Sequence, residues 1–425
     1  ILLLFVPYWI GYRHAARRAV RGAGQIIVVF SFLFCAALIA RVVPTASYDI
    51  YLYIFQGRAL TLHGLNPYAV IPWEVADPFV YSMGPWLAGL KNTYGPLWTT
   101  MAVAVTAALG DRPAALLVAF KALAAAFFLG CIPLLRALHG AIVHDRPGAG
   151  DRNGLALLFA WNPALLFEFA GSGHNDSVMI FFLLLALLLA VNGRMAPAGL
   201  ALAGSFLTKY VTLLCLPFFV AYAMSRATGG WRGRAAAATA ILAPAVAASL
   251  LAFIPYWHGL ATLDGLVQQA THVGMDVSSP LAFALALAYG GPEHLFSPAT
   301  SDFAAAVSVV VFKISLLVLV VAAFKRTMGT RDFLRFTFAP LLCYLAMASL
   351  WFMPWYLSWI VPILLLEGAA VAVAVAGVAG FLLYHTHFTG PMIGAMIIII
   401  AAAPVVKAYA LRGMVAVRRR PSAGS

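Results

Sequence analysis

The stretch GQIIVVFSFLFCAALIARVVPTASYDIYLY, residues 24–53, decides the fold because it joins a long apolar run to a polar loop. Residues 24–43 are long and apolar enough to cross a bilayer as a helix, which takes about 20 residues. Pro44 follows this run, and Asp49 is a lone carboxylate just beyond it. The stretch predicts a transmembrane helix followed by a loop that carries an acidic group.

The composition of the whole chain supports a membrane protein. Of the 425 residues, 63% are hydrophobic and 10% are charged, whereas a soluble domain carries about 25% charged residues. Long uncharged runs recur, and within lipid a helix satisfies its own backbone hydrogen bonds. We therefore predict an all-α polytopic membrane protein with one transmembrane domain over residues 1–425.

The net charge of +13 is concentrated in arginine-rich clusters between the apolar runs. Such clusters mark the cytoplasmic side of a membrane protein and can contact anionic lipid headgroups. Nucleic-acid binding is not expected, because no soluble basic domain is present. The four cysteines each lie alone within an apolar run and predict neither a disulfide frame nor a metal site; they are Cys35, Cys131, Cys215 and Cys343.

When the basic clusters are placed on the cytoplasmic side, the chain is predicted to cross the membrane twelve times. Residues 1–11 are predicted to be the end of another helix. The resulting bundle has about 12–13 transmembrane helices. The predicted crossings are residues 24–43, 113–136, 154–170, 177–192, 196–207, 211–224, 235–255, 303–324, 334–352, 355–367, 369–384 and 391–411. Residues 44–112 and 256–302 become outer loops, and the C-terminus is cytoplasmic. The chain begins at Ile1 and shows no cleavable signal peptide.

Two features complicate this path. Residues 95–110 are apolar enough to span, but a crossing there would place the later basic loops outside. We therefore expect a helix on the outer surface or packed in the bundle. The crossings at 196–207, 211–224 and 355–367 are short for straight spans. Short helices joined by polar turns usually line a cavity, which would open outward near Lys209 and Trp355.

Asp49 is the first candidate for chemistry. Residues 50–62 carry apolar and polar positions typical of an amphipathic interfacial helix, ending near Gly64 and the turn at Asn66-Pro67. At the start of that helix, Asp49 would be kept ionised by the helix dipole, as a general base requires. The alternative is that Asp49 only caps the helix.

Further polar motifs lie on the same predicted outer side. His174-Asn175-Asp176 precedes a helix and would line a sugar site or merely cap that helix. Metal binding by His174 and Asp176 is only weakly indicated, and we predict no metal or cofactor. Lys209 lies at a turn at membrane depth, where a charge needs a partner such as a phosphate. Lys121 and Arg58 are further candidates for the phosphate, or Lys121 simply reaches a local backbone partner.

Aromatic residues surround these motifs. Tyr94 belongs to a series in the first outer loop that suits either an interfacial belt or the floor of a sugar or polyprenyl site. Trp355 and Tyr356 occupy a tryptophan-rich outer turn that would shape a groove for a lipid chain. His272, in the second outer loop, is a candidate for binding the sugar donor or the acceptor.

In this order, the motifs resemble those of the C-type glycosyltransferase (GT-C) superfamily, which uses polyprenyl-phosphate sugars. They are most similar to those of the bacterial α-1,6-mannosyltransferases of lipoglycan synthesis. The resemblance covers roughly residues 45–359. The matching residues are Asp49 with Tyr53, Gly57 and Arg58; Asn66-Pro67-Tyr68; Tyr94-Gly95-Pro96; Trp161-Asn162-Pro163; Gly173-His174-Asn175-Asp176; Leu207-Thr208-Lys209-Tyr210; and Pro354-Trp355-Tyr356.

The resemblance implies a function at the outer face of the cell membrane. Asp49 would remove a proton from an acceptor hydroxyl on a glycolipid or glycan. The acceptor oxygen would then displace polyprenyl phosphate from a sugar, expected to be mannose, with inversion. Lys209 and Lys121 would bind the phosphate, and Tyr53, Tyr94 and the His174 motif would contact the sugars. The alternative is a transporter or flippase for a polyprenyl-linked or amphipathic substrate, although such proteins place carboxylates at mid-membrane.

Overall fold

A computed structural model describes residues 2–17, 22–45, 47–143, 152–271, 279–349 and 352–383. The regular elements in these ranges are all helical, which confirms the predicted all-α class. The α-helices are α1 (Phe5–Arg17), α2 (Ala23–Ala40), α3 (Asp49–Thr61), α4 (Pro78–Tyr81), α5 (Pro85–Ala88), α6 (Pro96–Leu109), α7 (Pro113–Val143), α8 (Arg152–Ala160), α9 (Pro163–Leu166), α10 (Asp176–Val191), α11 (Met195–Phe206), α12 (Leu216–Arg226), α13 (Gly230–Phe253), α14 (Asp264–Thr271), α15 (Pro280–His294), α16 (Pro298–Phe324), α17 (Thr330–Cys343), α18 (Val361–Leu366) and α19 (Ala370–Leu383). Two further segments are π-helical, Phe167–Gly171 and Tyr344–Ala348.

Four of the described helices are long and apolar enough to cross a membrane: α2, α7, α13 with its extension to Tyr256, and α16. A fifth span results if α8 and Pro163–Gly171, bent by 49°, are counted together. The membrane character predicted from the sequence is therefore confirmed. The total of twelve crossings and their sidedness stay predictions, and residues 391–411 lie outside the described ranges.

The bend between α8 and α9 has a local cause at Trp161-Asn162-Pro163. Proline has no N–H to donate at this point and favours the first position of a helix. The side-chain oxygen of Asn162 accepts hydrogen bonds from the backbone N–H groups of Ala164 and Leu165, at 3.0 and 3.5 Å. Asn162 thus begins a new helix in a new direction, which carries the chain toward the His174 loop.

The three short crossings form short helices, as predicted. Two of them, the segments Tyr210–Arg226 and Pro354–Leu366, begin with a 3₁₀ turn. A cleft lies between the π-helical segment Phe167–Gly171, the turn at Pro354–Trp359 and α19, and Trp355 lines it. Lys209 is not among the residues that line this cleft, and the outward-opening cavity near Lys209 stays a prediction.

Helix α3 corrects one prediction about the first outer loop. The helix spans Asp49–Thr61 and Gly64 has the expected left-handed backbone, with φ +65°. Its side chains are not divided into a lipid face and a water face, however, because residues 52–59 are all buried. The polar side of α3 can lie inside the protein because the Arg58 guanidinium contacts Asp77 at 2.8 Å and Asp111 at 2.6 Å. Helix α3 is therefore packed within the protein and is not amphipathic as predicted, whereas its position at the membrane interface stays a prediction.

Helix α6 is the ambiguous segment at residues 95–110, and it packs against α3 and α7. The Trp98 ring is fully buried, with its centre 5.0 Å from that of Tyr53 and 5.9 Å from that of Phe120. Edge-to-face aromatic contacts of this kind stabilise packing beyond the area that they bury. Of the two expected arrangements, the structure shows the packed one.

The backbone of Gly95 meets the turn that precedes Lys209. Gly95 N–H donates to the carbonyl of Thr208 at 3.1 Å, and Leu97 N–H donates to the carbonyl of Leu207 at 2.9 Å. A Cβ atom on Gly95 would lie 2.1 Å from the Leu207 oxygen. Only glycine permits this approach, so Gly95 fixes the first outer loop against the segment that carries Lys209.

We expect Gly95→Ala to destabilise the protein strongly, because the added methyl group would overlap backbone atoms that cannot rotate away. Overpacking a core costs about 1–3 kcal/mol, and a backbone clash belongs at or above the upper end of that range. Thermal unfolding in detergent measures the change. Gly84→Ala is the matched control, since nothing lies within 4 Å of a Cβ there; equal unfolding temperatures for the two variants would contradict the prediction.

Candidate functional site

Asp49 is the first residue of α3, and its carboxylate does not cap the helix. The N-cap position belongs to Tyr48, which makes no side-chain capping bond. Instead, the Tyr94 hydroxyl donates to Asp49 Oδ2 at 3.1 Å. The Asp49 side chain is 15% exposed, so one part of the carboxylate is held by protein and another part can meet a substrate. The capping alternative is therefore excluded for this residue.

The hydroxyl of Tyr94 is suited to remain a donor. Burial, together with the neighbouring Asp49 carboxylate, raises the pKa of Tyr94 well above its usual value. The phenol therefore keeps its proton and directs it at Asp49. Its ring packs edge to face on Tyr53 at 5.0 Å between ring centres, and the Tyr53 hydroxyl in turn donates to Asn175 Oδ1 at 3.4 Å.

His174 faces Asp49 from the loop before α10. Gly173, with φ +79°, makes the turn that the loop requires, and His174 N–H donates to the Glu168 carbonyl at 3.1 Å. The imidazole is fully buried and stacks on Trp355, with 4.2 Å between ring centres. Its Nδ1 atom lies 3.8 Å from Asp49 Oδ2, and its Nε2 atom lies 3.3 Å from Glu168 Oε2.

The electrostatic surroundings of His174 favour the neutral ring. Burial lowers the pKa of His174 below its usual value, and the nearby Asp49 and Asp176 carboxylates offset only part of this effect. A neutral imidazole can accept a proton at one nitrogen and donate from the other. His174 is therefore equipped for proton transfer in its resting state.

Asp176 begins α10 but, like Asp49, is not its cap; that position is Asn175, which makes no capping bond. Asp176 Oδ1 accepts hydrogen bonds from Lys209 Nζ, at 2.8 Å, and from Trp359 Nε1. Lys209 Nζ also lies 4.7 Å from the ring centre of Tyr356 and 5.1 Å from that of Trp359. The predicted phosphate partner of Lys209 stays a prediction, and within the protein its partner is Asp176.

Other predicted residues lie outside this group. Lys121 is fully buried and donates to the carbonyls of Leu38 and Arg41, both at 2.7 Å. It therefore supplies hydrogen bonds to backbone carbonyl groups at the end of α2. Arg58 is held by its two carboxylates in the first outer loop. These internal partners leave neither cation directed toward Asp49. His272 lies outside the described residues.

Two residues of the site were missed by the sequence analysis. Glu168 lies within a π-helical turn, a distortion that is frequent at functional sites. In the sequence, the feature that could have indicated it is a carboxylate inside an otherwise apolar run. Trp359 was counted only as part of an aromatic turn. Trp355 and Tyr356, predicted to shape a lipid groove, are buried against His174 and Lys209 respectively.

The sequence of this chain matches a family described as "Alpha-(1->6)-mannopyranosyltransferase, N-terminal domain" over residues 1–225, more than half of its length. The chain belongs to this family. The matched region of the mannopyranosyltransferase family contains Asp49, Glu168, His174, Asp176 and Lys209. The aromatic turn with Trp355 and Trp359 lies beyond it.

Two curated relatives in this family are named Alpha-(1->6)-mannopyranosyltransferase A. The one from Corynebacterium glutamicum is 27% identical over 187 residues, 44% of this chain and 36% of the relative. The one from Mycobacterium tuberculosis is 28% identical over 179 residues, 42% of this chain and 33% of the relative. The chain therefore aligns with about a third of the length of each of these relatives.

The pair of Lys209 and Asp176 gives a test of the buried site. We expect Lys209→Met to destabilise the protein by about 3–5 kcal/mol, because it leaves the Asp176 carboxylate buried without its cation. The double variant Lys209→Met/Asp176→Asn removes that charge while Asn can still accept from Trp359, so it should recover part of the loss. Thermal unfolding of the single and double variants measures the coupling; strictly additive effects would contradict it.

The lowered pKa of His174 predicts a pH dependence of stability. Between this pKa and about 6.5, the value of an unfolded histidine, the unfolded chain binds more protons than the fold, so stability falls as pH drops through this window. Above about pH 6.5, His174 is neutral in both the folded and the unfolded chain, and this loss of stability is absent. We expect His174→Gln to flatten the fall in unfolding temperature on acidification. His294→Gln, at an exposed position, should leave the slope as in the wild type.

Proposed function

We propose that this protein is an integral membrane mannosyltransferase that uses a polyprenyl-phosphate mannose at the extracytoplasmic face. Its acceptor is a hydroxyl on a glycolipid or glycan. The observation that carries the proposal is the state of Asp49: its carboxylate is partly exposed, oriented by Tyr94, and lies in the region that matches a mannosyltransferase family. A donor bound to lipid suits a site at the outer face, where nucleotide sugars from the cytoplasm are absent.

Asp49 acts as the general base in this proposal. Its carboxylate takes the proton of the acceptor hydroxyl while the acceptor oxygen bonds to C1 of mannose. The bond between C1 and the phosphate oxygen breaks, and polyprenyl phosphate leaves as an anion. Attack opposite the leaving group inverts C1, so a β-linked donor gives an α-linked product. The hydrogen bond from Tyr94 leaves Oδ1 of Asp49 as the oxygen available to the acceptor.

Lys209 is the residue that best suits the leaving phosphate. Its side chain is 12% exposed and its Nζ is fixed by Asp176 and two aromatic rings. A fixed cation near a developing anion lowers the barrier because it needs no reorganisation during the reaction. Lys121 and Arg58 suit this role less well, because Lys121 donates to the carbonyls of Leu38 and Arg41 and Arg58 donates to the carboxylates of Asp77 and Asp111.

Residues beside Asp49 and His174 suit a sugar and a lipid. Asn175 has a buried amide nitrogen without a hydrogen-bond partner among the described residues, and its side-chain oxygen accepts from Tyr53. The amide N–H of Asn175 is suited to donate a hydrogen bond to a sugar hydroxyl oxygen. Trp355 lines the cleft beside His174, and we propose that it contacts the first isoprene units of the donor, while the buried Tyr356 holds Lys209 in place.

Replacing Asp49 by Asn tests the proposal directly. The amide keeps the size of the side chain but cannot take a proton, so we expect release of polyprenyl phosphate from polyprenyl-phosphate mannose to fall about 10²- to 10⁴-fold, the usual range for a general base. The measurement uses purified protein, an acceptor glycolipid extract and chromatography of the released lipid phosphate.

Glu74→Gln is the control, since Glu74 is an exposed carboxylate of the same loop, and its rate should equal that of the wild type. Retention of the wild-type rate by a folded Asp49→Asn protein would overturn the assignment of the base. A wild-type protein that consumes no polyprenyl-phosphate sugar would overturn the proposed function. Gradient-dependent translocation of the lipid in that case would favour a transporter.

A further inference from the structure

Glu168 is a buried carboxylate to which the proposed reaction assigns no step. Its side chain is 7% exposed and projects from the π-helical turn Phe167–Gly171. This turn is held in place from outside: Thr45 Oγ1 donates to the Phe167 carbonyl at 3.1 Å, and a Cβ on Gly171 would lie 2.4 Å from the same Oγ1. The chain thus fixes Glu168 relative to the segment that leads into Asp49.

Glu168, His174 and Asp49 form a line of three titratable groups. Glu168 Oε2 lies 3.3 Å from His174 Nε2, and Asp49 Oδ2 lies 3.8 Å from His174 Nδ1. Neither ring nitrogen makes an aligned hydrogen bond among the described residues, so a small rotation of the ring can bring either one into use. The stack on Trp355 keeps the ring in the plane that points to both carboxylates.

Glu168 also faces a cleft that contains a second buried polar group. It lines the cleft together with Asn162 and Ser358. The buried Ser358 hydroxyl has no hydrogen-bond partner among the described residues. An internal water needs about 2–4 polar partners, and the Glu168 carboxylate and the Ser358 hydroxyl are two such groups on the wall of this cleft.

We infer that His174 takes up the proton that Asp49 removes from the acceptor, and that Glu168 is the positioning residue that makes this uptake favourable. The inference rests on the proposed function. In the resting site, the ring carries its proton on Nε2, directed at Glu168, and its Nδ1 lone pair faces Asp49. The same division of labour, with a carboxylate that orients and stabilises a histidine, serves many hydrolases.

The proton balance of the step is simple. The acceptor O–H bond breaks and Asp49 Oδ1 gains the proton as the new bond to mannose forms. The Asp49 carboxyl group then rotates to direct this proton at His174; the O–H bond breaks, Nδ1 takes the proton, Asp49 is again a carboxylate, and the ring is an imidazolium. After the product leaves, the proton returns through the partly exposed Asp49 to solvent. Uptake by His174 restores the anionic Asp49 before the product departs and so opposes the reverse reaction.

Other charged groups also act on His174. Asp176, on α10, stabilises the imidazolium, and Lys209, from the turn after α11, opposes it. These two groups neutralise each other through their 2.8 Å contact. The phenols of Tyr53 and Tyr94 are neutral neighbours on the side of Asp49. Glu168 Oε2 lies nearer to the ring, at 3.3 Å from Nε2, than Asp49 Oδ2, at 3.8 Å from Nδ1, which is why we assign the positioning of the ring to Glu168.

The test compares Glu168→Gln with the wild type across pH. Wild-type kcat should fall on acidification as His174 becomes protonated before the reaction. Without the Glu168 charge the imidazolium is less stable, so the acid limb should move to lower pH while plateau kcat falls at least about tenfold. The KM for the lipid donor should stay within twofold. Glu168→Asp, which keeps the charge, should return the acid limb toward its wild-type position.

A second measurement follows the titration of His174 itself, by NMR of protein labelled at histidine and assigned with His174→Gln. The midpoint should be lower in Glu168→Gln than in the wild type and unchanged in Glu74→Gln. An unshifted acid limb with reduced kcat, or an unshifted midpoint, would overturn the inference and leave Glu168 a structural residue. An inactive wild type would defeat the proposed function and the catalytic part of the inference, whereas the titration would still decide whether Glu168 and His174 are coupled.

Discussion

The close approach of Gly95 to Leu207 is the contact on which the site depends. It allows two backbone hydrogen bonds between segments that are more than a hundred residues apart. On one side of this contact, Tyr94 holds Asp49; on the other, Lys209 pairs with Asp176. The two halves of the site therefore share one backbone anchor, which excludes a side chain at Gly95.

Charge pairing distinguishes Asp49 from the buried carboxylates of Asp77 and Asp176. A buried ion pair contributes little net stability but fixes its partners in place, because either charge left alone would be costly. Asp77 is held by Arg58 and His63, and Asp176 is held by Lys209. Asp49 contacts no lysine or arginine among the described residues, and its strongest neighbour is a neutral phenol. This arrangement supports the role of general base that we propose for Asp49.

The helices and the polar motifs could be predicted from the sequence, whereas their partners could not. Apolar length and proline positions are local signals, so α2 and the starts of α3 and α10 were expected near their observed places, whereas the bend at Asn162 within the predicted crossing at 154–170 was not. The burial of α3 depends on Asp77 and Asp111, which lie far from Arg58 along the chain. Lys121 was a candidate for binding phosphate because no sequence pattern shows that backbone carbonyls at the end of α2 are its partners. Glu168 lies beside His174 only because of the fold of the loop that carries His174.

The burial of α3 also determines how the site relates to the bilayer. Helices α13 and α16 present most of their surface outward, since only 11% and 17% of their apolar windows are buried. Spans of that kind tilt when lipid thickness changes. Helix α3 is enclosed by α4, α6 and α7 instead, so its first residue moves with its protein neighbours and not with the lipid. The distances among Asp49, His174 and Glu168 are thus set by contacts within the protein.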